Sequence, residues 1–403
     1  MEESIYSMMG GTKWMPKEER LAVTIERKSL SVGVPKELYY QEKRVILVPS
    51  AVSLLVNRGH RVLFERGAGE KANFSDLSYA EAGAELVDSA AQAFQADVVI
   101  KIVPPTFAEI GMMKDRSILI SALYLQAQSK DYFTELIRKR INALSYEHIR
   151  DKTNSLPILH SISEIVGNAA VLIGAEYLSN PDWGRGKMLG GFTGINPSEV
   201  IILGAGTVGE FAARAALGFG ALVKIFDDSL VKLSRVQNNL GGRVYTSIIQ
   251  SDVLSNALKT ADVVIGATYP KADRPGFVIS DSMVKSMKKG AVIVDVSIDR
   301  GGCSETSRET NHDKPVYKVH DVTHYCVPNI SARTPHTASY ALSNFMGPFI
   351  TEMAEIGGLT KLLIANQGVR SGVYAYKGNI VNDYIASCFS IPYYSLDLLL
   401  ASF

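Results

Sequence analysis

The run Val200-Ile-Ile-Leu-Gly204-Ala-Gly206-Thr-Val-Gly209, followed at helix length by Leu222-Val-Lys-Ile-Phe-Asp227, decides the fold. Apolar residues up to Leu203 read as a buried parallel strand, the three glycines as a tight turn, and Glu210 to Leu217 as the opening of a helix. With no side chain in the turn, the backbone can press against a pyrophosphate, which then meets the free N–H groups and the positive dipole end of that helix. Asp227 follows Gly209 by 18 residues, at the tip of the next strand, where it can accept hydrogen bonds from a ribose 2′-hydroxyl. A carboxylate in that place repels a 2′-phosphate, so the pattern predicts NAD over NADP. Glycine-rich turns also serve tight packing alone; the strand before this one, the helix after it and the acid at its distance favour dinucleotide binding.

The rest of the chain bounds what meets that cofactor. A length of 403 residues exceeds one ordinary core and predicts two domains. With 46% hydrophobic and 21% charged residues it is soluble and globular in composition, and a net charge of +1 provides no field for nucleic acid or an acidic membrane. Cys303, Cys326 and Cys388 are odd in number and widely spaced, which suggests neither a disulfide framework nor a metal site and fits a reducing cytosol. The N-terminus mixes Lys17, Glu18, Glu19 and Arg20 with apolar residues, unlike a signal peptide. The longest apolar run, Ile162 to Leu178, carries Glu164, Asn168 and Glu176 and reads as a core helix, not a membrane span. A cytoplasmic protein with no nucleic-acid or membrane partner is expected.

Taken in order, residues 1–29 are expected to be an extension, an arm packing on the body or on a neighbour, with one short helix over Pro16 to Arg27. From Ser29, strands at Leu30–Val34, Arg61–Glu65, Ala96–Val103, Ser117–Leu123 and Ile141–Glu147 alternate with helices from Ser50 to Gly59 and Ser129 to Arg140. Such alternation predicts a parallel sheet with helices on both faces. A long connector helix over His160–Ser179 leads to a second wound unit with strands at Val200, Leu222, Arg243, Asp262–Thr268, Ala291–Ser297 and Val322–Val327. A second connector over Ala338–Ile356 precedes short segments that carry no new sheet pattern and are expected to complete the first domain. The expected architecture is therefore α/β, two Rossmann-like doubly wound parallel-sheet domains with a cleft between them. Residues 30–158 plus 337–403 form the substrate domain and 159–336 the NAD-binding domain.

Candidate chemistry sits at two further stretches. In Val32-Gly-Val-Pro-Lys-Glu37 followed by Glu42-Lys-Arg44, the arginine is either a surface charge or a fork for a carboxylate. In Gly290-Ala-Val-Ile-Val-Asp295-Val-Ser-Ile-Asp299-Arg-Gly301-Gly302-Cys303, a buried strand delivers Asp299 to the carboxyl edge of a sheet, where open α/β proteins bind ligands. A turn cap by the Asx side chain is the bland alternative. The seven histidines show no metal-ligand spacing.

With these motifs the sequence resembles the alanine dehydrogenase and transhydrogenase α-subunit family, and most of all its NAD-dependent alanine dehydrogenases. The resemblance is carried by Gly33-Val-Pro-Lys-Glu37 with Arg44, Gly67-Ala-Gly69, Ser163-Glu164, the glycine turn with Asp227, Asp295 to Cys303, and Tyr325-Cys-Val-Pro-Asn329 with Tyr340-Ala-Leu-Ser-Asn344. It implies two Rossmann-like domains, a homo-oligomer, hexamer or dimer, and oxidative deamination of L-alanine to pyruvate and ammonia. By the same resemblance Arg44 holds the substrate carboxylate and Asp299 assists proton transfer. Ser163, Gly204, Gly206, Thr207, Val208, Gly209, Asp227, Lys232, Arg308, Val327 and Asn329 line the NAD site.

Two positions depart from the family pattern: Val103 stands where a substrate-binding lysine is expected, and Tyr124 where the acid/base histidine is expected. Deamination needs a group that titrates near the working pH, and an unperturbed tyrosine titrates near pH ~10. Lys101, two residues before Val103, could reach Tyr124 and lower its pKa, giving a Tyr–Lys couple. Alternatively Lys101 caps another carboxylate, Tyr124 is packing, and Asp299 alone moves protons. Two other functions stay open. One is an opine-type reductase, for which the Lys-to-Val change would widen the cleft, and the other is an NAD-binding subunit without turnover.

Overall fold

The structure is a computed structural model and describes residues 29–242, 244–268 and 277–401. All but Ser29 of the extension expected at residues 1–29, its short helix included, lies outside the described residues, as does Arg243.

Two mostly parallel sheets carry the molecule. The first contains β1 (Ser31–Val34), β2 (Arg61–Glu65), β3 (Glu85–Val87), β4 (Val98–Ile100), β5 (Ile118–Ser121) and β6 (Asn142–Ser145). The second contains β7 (Glu199–Leu203), β8 (Leu222–Phe226), β9 (Tyr245–Ser247), β10 (Val263–Gly266), β11 (Val292–Asp295), β12 (Val316–Val319) and β13 (Val322–Tyr325). Beyond the second sheet the chain returns, and β14 (Val373–Tyr376) and β15 (Asn379–Ile380) join the first. No strand was expected in this tail. Its four residues VYAY are buried throughout and pair antiparallel with β6, a partner more than 200 residues earlier.

The orders are β15-β14-β6-β5-β4-β1-β2-β3 and β12-β13-β11-β10-β7-β8-β9. Chain direction across the sheet therefore reverses between β1 and β4 in one and between β7 and β10 in the other. At such a reversal the helices on either side of it diverge to opposite faces and leave a crevice beyond the carboxyl ends of the strands. The strands are short and apolar because helices cover both faces: β10 and β11 are buried at every residue.

Two long helices, Pro157–Ser179 and Pro335–Glu355, link the halves and pack on each other. Each begins with proline, whose fixed φ suits the first helical turn and whose missing N–H is not needed there. By length and apolarity Pro157–Ser179 could cross a membrane, but it packs along the helix Thr207–Gly218 and against β10 and β11, as a core helix does.

Candidate functional site

The glycine turn divides its labour among three positions. Gly204 has φ +104°, and a Cβ on it would stand 2.3 Å from the Ala267 carbonyl oxygen, so the turn out of β7 admits no side chain. Gly209 lies one helical turn on, where a Cβ would meet the Gly204 oxygen at 1.8 Å, pinning the helix to the strand end. Gly206 differs: a Cβ there would meet nothing within 4 Å. The chain has left space at the helix N-cap, and no side chain caps it. The open turn suits a pyrophosphate, whose oxygens would take the N–H groups of Thr207 and Val208.

Asp227, just past β8, is buried and aimed back at this turn. Its carboxylate accepts the Ala205 N–H at 2.7 Å and the Ser229 N–H at 2.8 Å, with Lys232 Nζ 3.9 Å away. Each oxygen keeps a lone pair for a ribose hydroxyl. Ser163 is half-buried on the first connecting helix. Arg308 stacks its guanidinium over the Tyr317 ring at 4.1 Å, and Val327 is buried beyond β13. The residues of the glycine turn, Asp227 and Lys232 thus come together around an open turn that fits a dinucleotide.

On the first sheet, Arg44 is 5% exposed and gripped by Glu42. Its Nε donates to Glu42 Oε1 at 2.8 Å and its Nη2 to Glu42 Oε2 at 2.6 Å. Nη2 also donates to Asn329 Oδ1 at 2.9 Å, while Asn329 Nδ2 donates to Glu42 Oε2 at 2.9 Å. Asn329, in the left-handed region at φ 57°, lies just beyond β13 of the second sheet. The triangle therefore bridges the two carboxyl edges. Burial penalises both charges, but the guanidinium outweighs it and lowers the Glu42 pKa, and Glu42 in turn raises that of Arg44. Among the described residues no hydrogen bond engages Nη1, which leaves that edge of the fork for a ligand. Sequence reasoning missed Glu42, although its place two residues before Arg44 was the available signal. Beside Arg44 lies a small cleft lined also by Lys36, Glu37, Gly67 and Lys71.

Lys101 does not join Tyr124. It is fully buried, with its ammonium 3.1 Å from Glu109 Oε1 and 3.3 Å from Glu37 Oε2, and it faces the Phe94 ring. Burial alone would lower its pKa, but the two carboxylates raise it. Tyr124 packs against the opposite apolar cluster and meets Tyr40 edge-on at 5.5 Å. Burial, against a smaller opposing pull from Arg44, lifts its phenol well above the ordinary range. The proposed Tyr–Lys couple is thus corrected: Lys101 caps carboxylates. The strand ends at Ile100, so alternation along it does not reach Lys101. Val103 is also fully buried.

Asp299 follows β11 on a short helical turn and stands exposed. Although the residue as a whole is exposed, the protein packed near its carboxyl displaces enough water to raise the pKa, with Arg300 opposing. Its neighbour Asp295 is structural: one oxygen takes the Ser297 N–H and hydroxyl, the other the Cys303 N–H and the Ser307 hydroxyl, which shapes the loop that presents Asp299. Two carboxyls had gone unnoticed in the sequence. Burial raises Glu37 to about 7 despite Lys101, and it raises Glu147 as well.

Residues 33–166 match the family model for the alanine dehydrogenase/PNT N-terminal domain, and residues 170–383 match that for the C-terminal domain. The chain belongs to the alanine dehydrogenase/PNT family. Within the family it is 36% identical to an alanine dehydrogenase of Mycolicibacterium smegmatis over 363 residues, 90% of this chain and 97% of that protein. It is 37% identical to alanine dehydrogenase 2 of Staphylococcus aureus over 370 residues, 91% and 99% of the two chains. A solved L-alanine dehydrogenase superposes with a TM-score of 0.83 at 37% identity, covering 89% of this chain and 99% of that one. A transhydrogenase from Sinorhizobium meliloti shares the fold, with a TM-score of 0.74 at 23% identity. Membership fixes a two-sheet α/β fold and a pyridine nucleotide as cofactor.

Proposed function

We propose that this protein is an NAD-dependent alanine dehydrogenase, which converts L-alanine to pyruvate and ammonia reversibly. Residues 159–336 hold the dinucleotide, and residues 30–158 with 337–403 hold the substrate, a small amino acid or 2-oxo acid. The observation that carries the reading is the Glu42–Arg44–Asn329 triangle, because it sets a carboxylate-binding fork against the carboxyl edge that bears the glycine turn. Relatives named alanine dehydrogenase, matched over nine-tenths of the chain, support the same substrate.

When bound, the dinucleotide supplies the hydride acceptor. Gly204, Gly206, Thr207, Val208 and Gly209 would hold its pyrophosphate, and Asp227 its ribose, which selects NAD over NADP by charge. Lys232, Ser163, Arg308, Val327 and Asn329 would line the rest. Arg44 binds the substrate carboxylate through Nη1, held in orientation by Glu42. Asp299 assists proton transfer from the opposite edge. The enzyme works as a cytoplasmic homo-oligomer.

The test is NADH oxidation with ammonium and a panel of 2-oxo acids. Ammonium-dependent turnover with pyruvate is expected, and failure on every acid would reject the reading. Turnover only with a second amino acid as amine donor would select an opine-type reductase.

A further inference from the structure

Given that reaction, with Asp299 placed on the opposite edge, the substrate's own edge still lacks a proton carrier. Oxidative deamination moves protons on and off nitrogen and water, and the two groups first considered beside Arg44 cannot do it. Tyr124 keeps its proton, and Lys101 is sealed between carboxylates. Glu37 is buried too, with one oxygen on the Ile102 N–H at 2.5 Å and the other against Lys101.

We propose that Glu147 carries the substrate's proton, in the place that Tyr124 leaves unfilled. Glu147 stands directly after β6, on the same carboxyl edge and beside the loop that follows β5. Its Oε2 accepts the N–H of Leu123, the residue before Tyr124, at 3.4 Å. Among the described residues no other hydrogen bond engages its carboxylate, so Oε1 is open to a ligand. The side chain is half-buried, neither sealed like Glu37 nor fully in water.

The charged and titratable groups that face it come from every element around it. Tyr146 and His148 flank it on its own turn, Tyr124 comes from the β5 loop, Arg44 from the arm after β1, and Arg300 from the second sheet beside Asp299. Burial raises its pKa and the cations together with the Leu123 N–H hold the rise in check. A carboxyl moved upward from the ordinary range approaches the working pH, where proton transfer is efficient.

The proton balance is closed. Glu147 takes one proton from the alanine ammonium, which frees the nitrogen lone pair to form C=N as the α-hydrogen would leave with its bonding pair to the hydride acceptor. That proton goes to solvent. Glu147 then takes a proton from the water that attacks the iminium carbon and returns it to nitrogen. The C–N bond breaks, ammonia leaves with the bonding pair, and the hydroxyl proton follows it to give pyruvate and ammonium.

The experiment compares the full-length enzyme with Glu147→Gln and with Glu147→Gln/Tyr124→His. Wild-type turnover of alanine tests the activity itself; its absence sinks that reading and this one together. With wild type active, Glu147→Gln is expected to lower kcat at least ~100-fold while NADH affinity and melting temperature stay at wild-type values, and the acidic limb of the pH profile is expected to vanish. The double variant should regain at least ~10-fold with a limb that titrates as imidazole. In the free protein, carbon-13 spectra of labelled glutamate should show one carboxyl, absent from Glu147→Gln, titrating above the ordinary range. Turnover within threefold of wild type in Glu147→Gln, or an acidic limb that persists there and is lost only in Asp299→Asn, overturns the assignment in favour of Asp299.

Discussion

Arg44 donates to Asn329 at 2.9 Å across 285 positions of sequence, so the substrate's anchor and the loop beyond β13 share one hydrogen bond. A hydrogen bond to a charged group contributes about 1.5–3 kcal/mol. Asn329→Ala should therefore raise the KM for alanine by roughly tenfold or more, and should also weaken NADH, whose site the same loop lines. Steady-state kinetics with an NADH titration check this; a change in NADH affinity with an untouched alanine KM would show that the bond does not couple the two.

Arg44→Ala removes the fork and leaves Glu42 buried without its cation. A buried pair broken on one side costs about 3–5 kcal/mol, so denaturant melts should show a loss of that order. The alanine KM should rise sharply while NADH affinity changes little. Arg44→Ala/Glu42→Gln should recover stability but not the KM, and recovery of both would mean that Arg44 only holds the fold.

The three glycines of the turn should separate by experiment. Gly206→Val adds a side chain where nothing stands within 4 Å, so melting should be unchanged while NADH binding is lost. Gly209→Ala puts a Cβ at 1.8 Å from the Gly204 oxygen and should destabilise the protein before binding is even measured. A Gly206→Val protein that binds NADH normally would place the pyrophosphate elsewhere.

Glu37 sets a pH dependence of stability. Its carboxyl is raised from 4.5 to about 7 in the folded state, so the native chain binds the extra proton between those values. The slope of unfolding free energy with pH is then negative: stability falls as pH rises from about 4.5 to about 7 and is constant on either side as far as this group is concerned. Glu37→Gln should flatten that segment in melts taken across the range, and an unchanged slope would assign it to another group.

Tyr124→Phe should leave the pH profile of turnover in place and change kcat by less than ~10-fold, because a phenol that stays protonated is not a base at working pH. A shifted profile would restore Tyr124 to the proton path.

Much of the second sheet was legible because its chemistry is local. Strand, glycine turn, helix and acid follow one another within 28 residues, from Val200 to Asp227, and each has a physical reason at its position. The Glu42–Arg44–Asn329 triangle was not legible as a contact, since its members lie in different sheets and each reads alone as an ordinary polar residue. Lys101 misled for a different reason: the two-residue period holds only inside a strand, and β4 stops at Ile100. Glu147 escaped notice because nothing in its local sequence marks a half-buried carboxyl; that emerges only when β5 and β6 lie side by side.

The late arrival of β14 and β15 has a consequence during synthesis. The seven described strands of the nucleotide half have emerged by Tyr325, whereas the half that includes Ser31 waits for Ile380 to finish its outer edge. On a ribosome, where units tend to fold as they become complete, the later-encoded layer has its full complement first, and the earlier-encoded one must keep the flank of β6 unpaired until the tail reaches it.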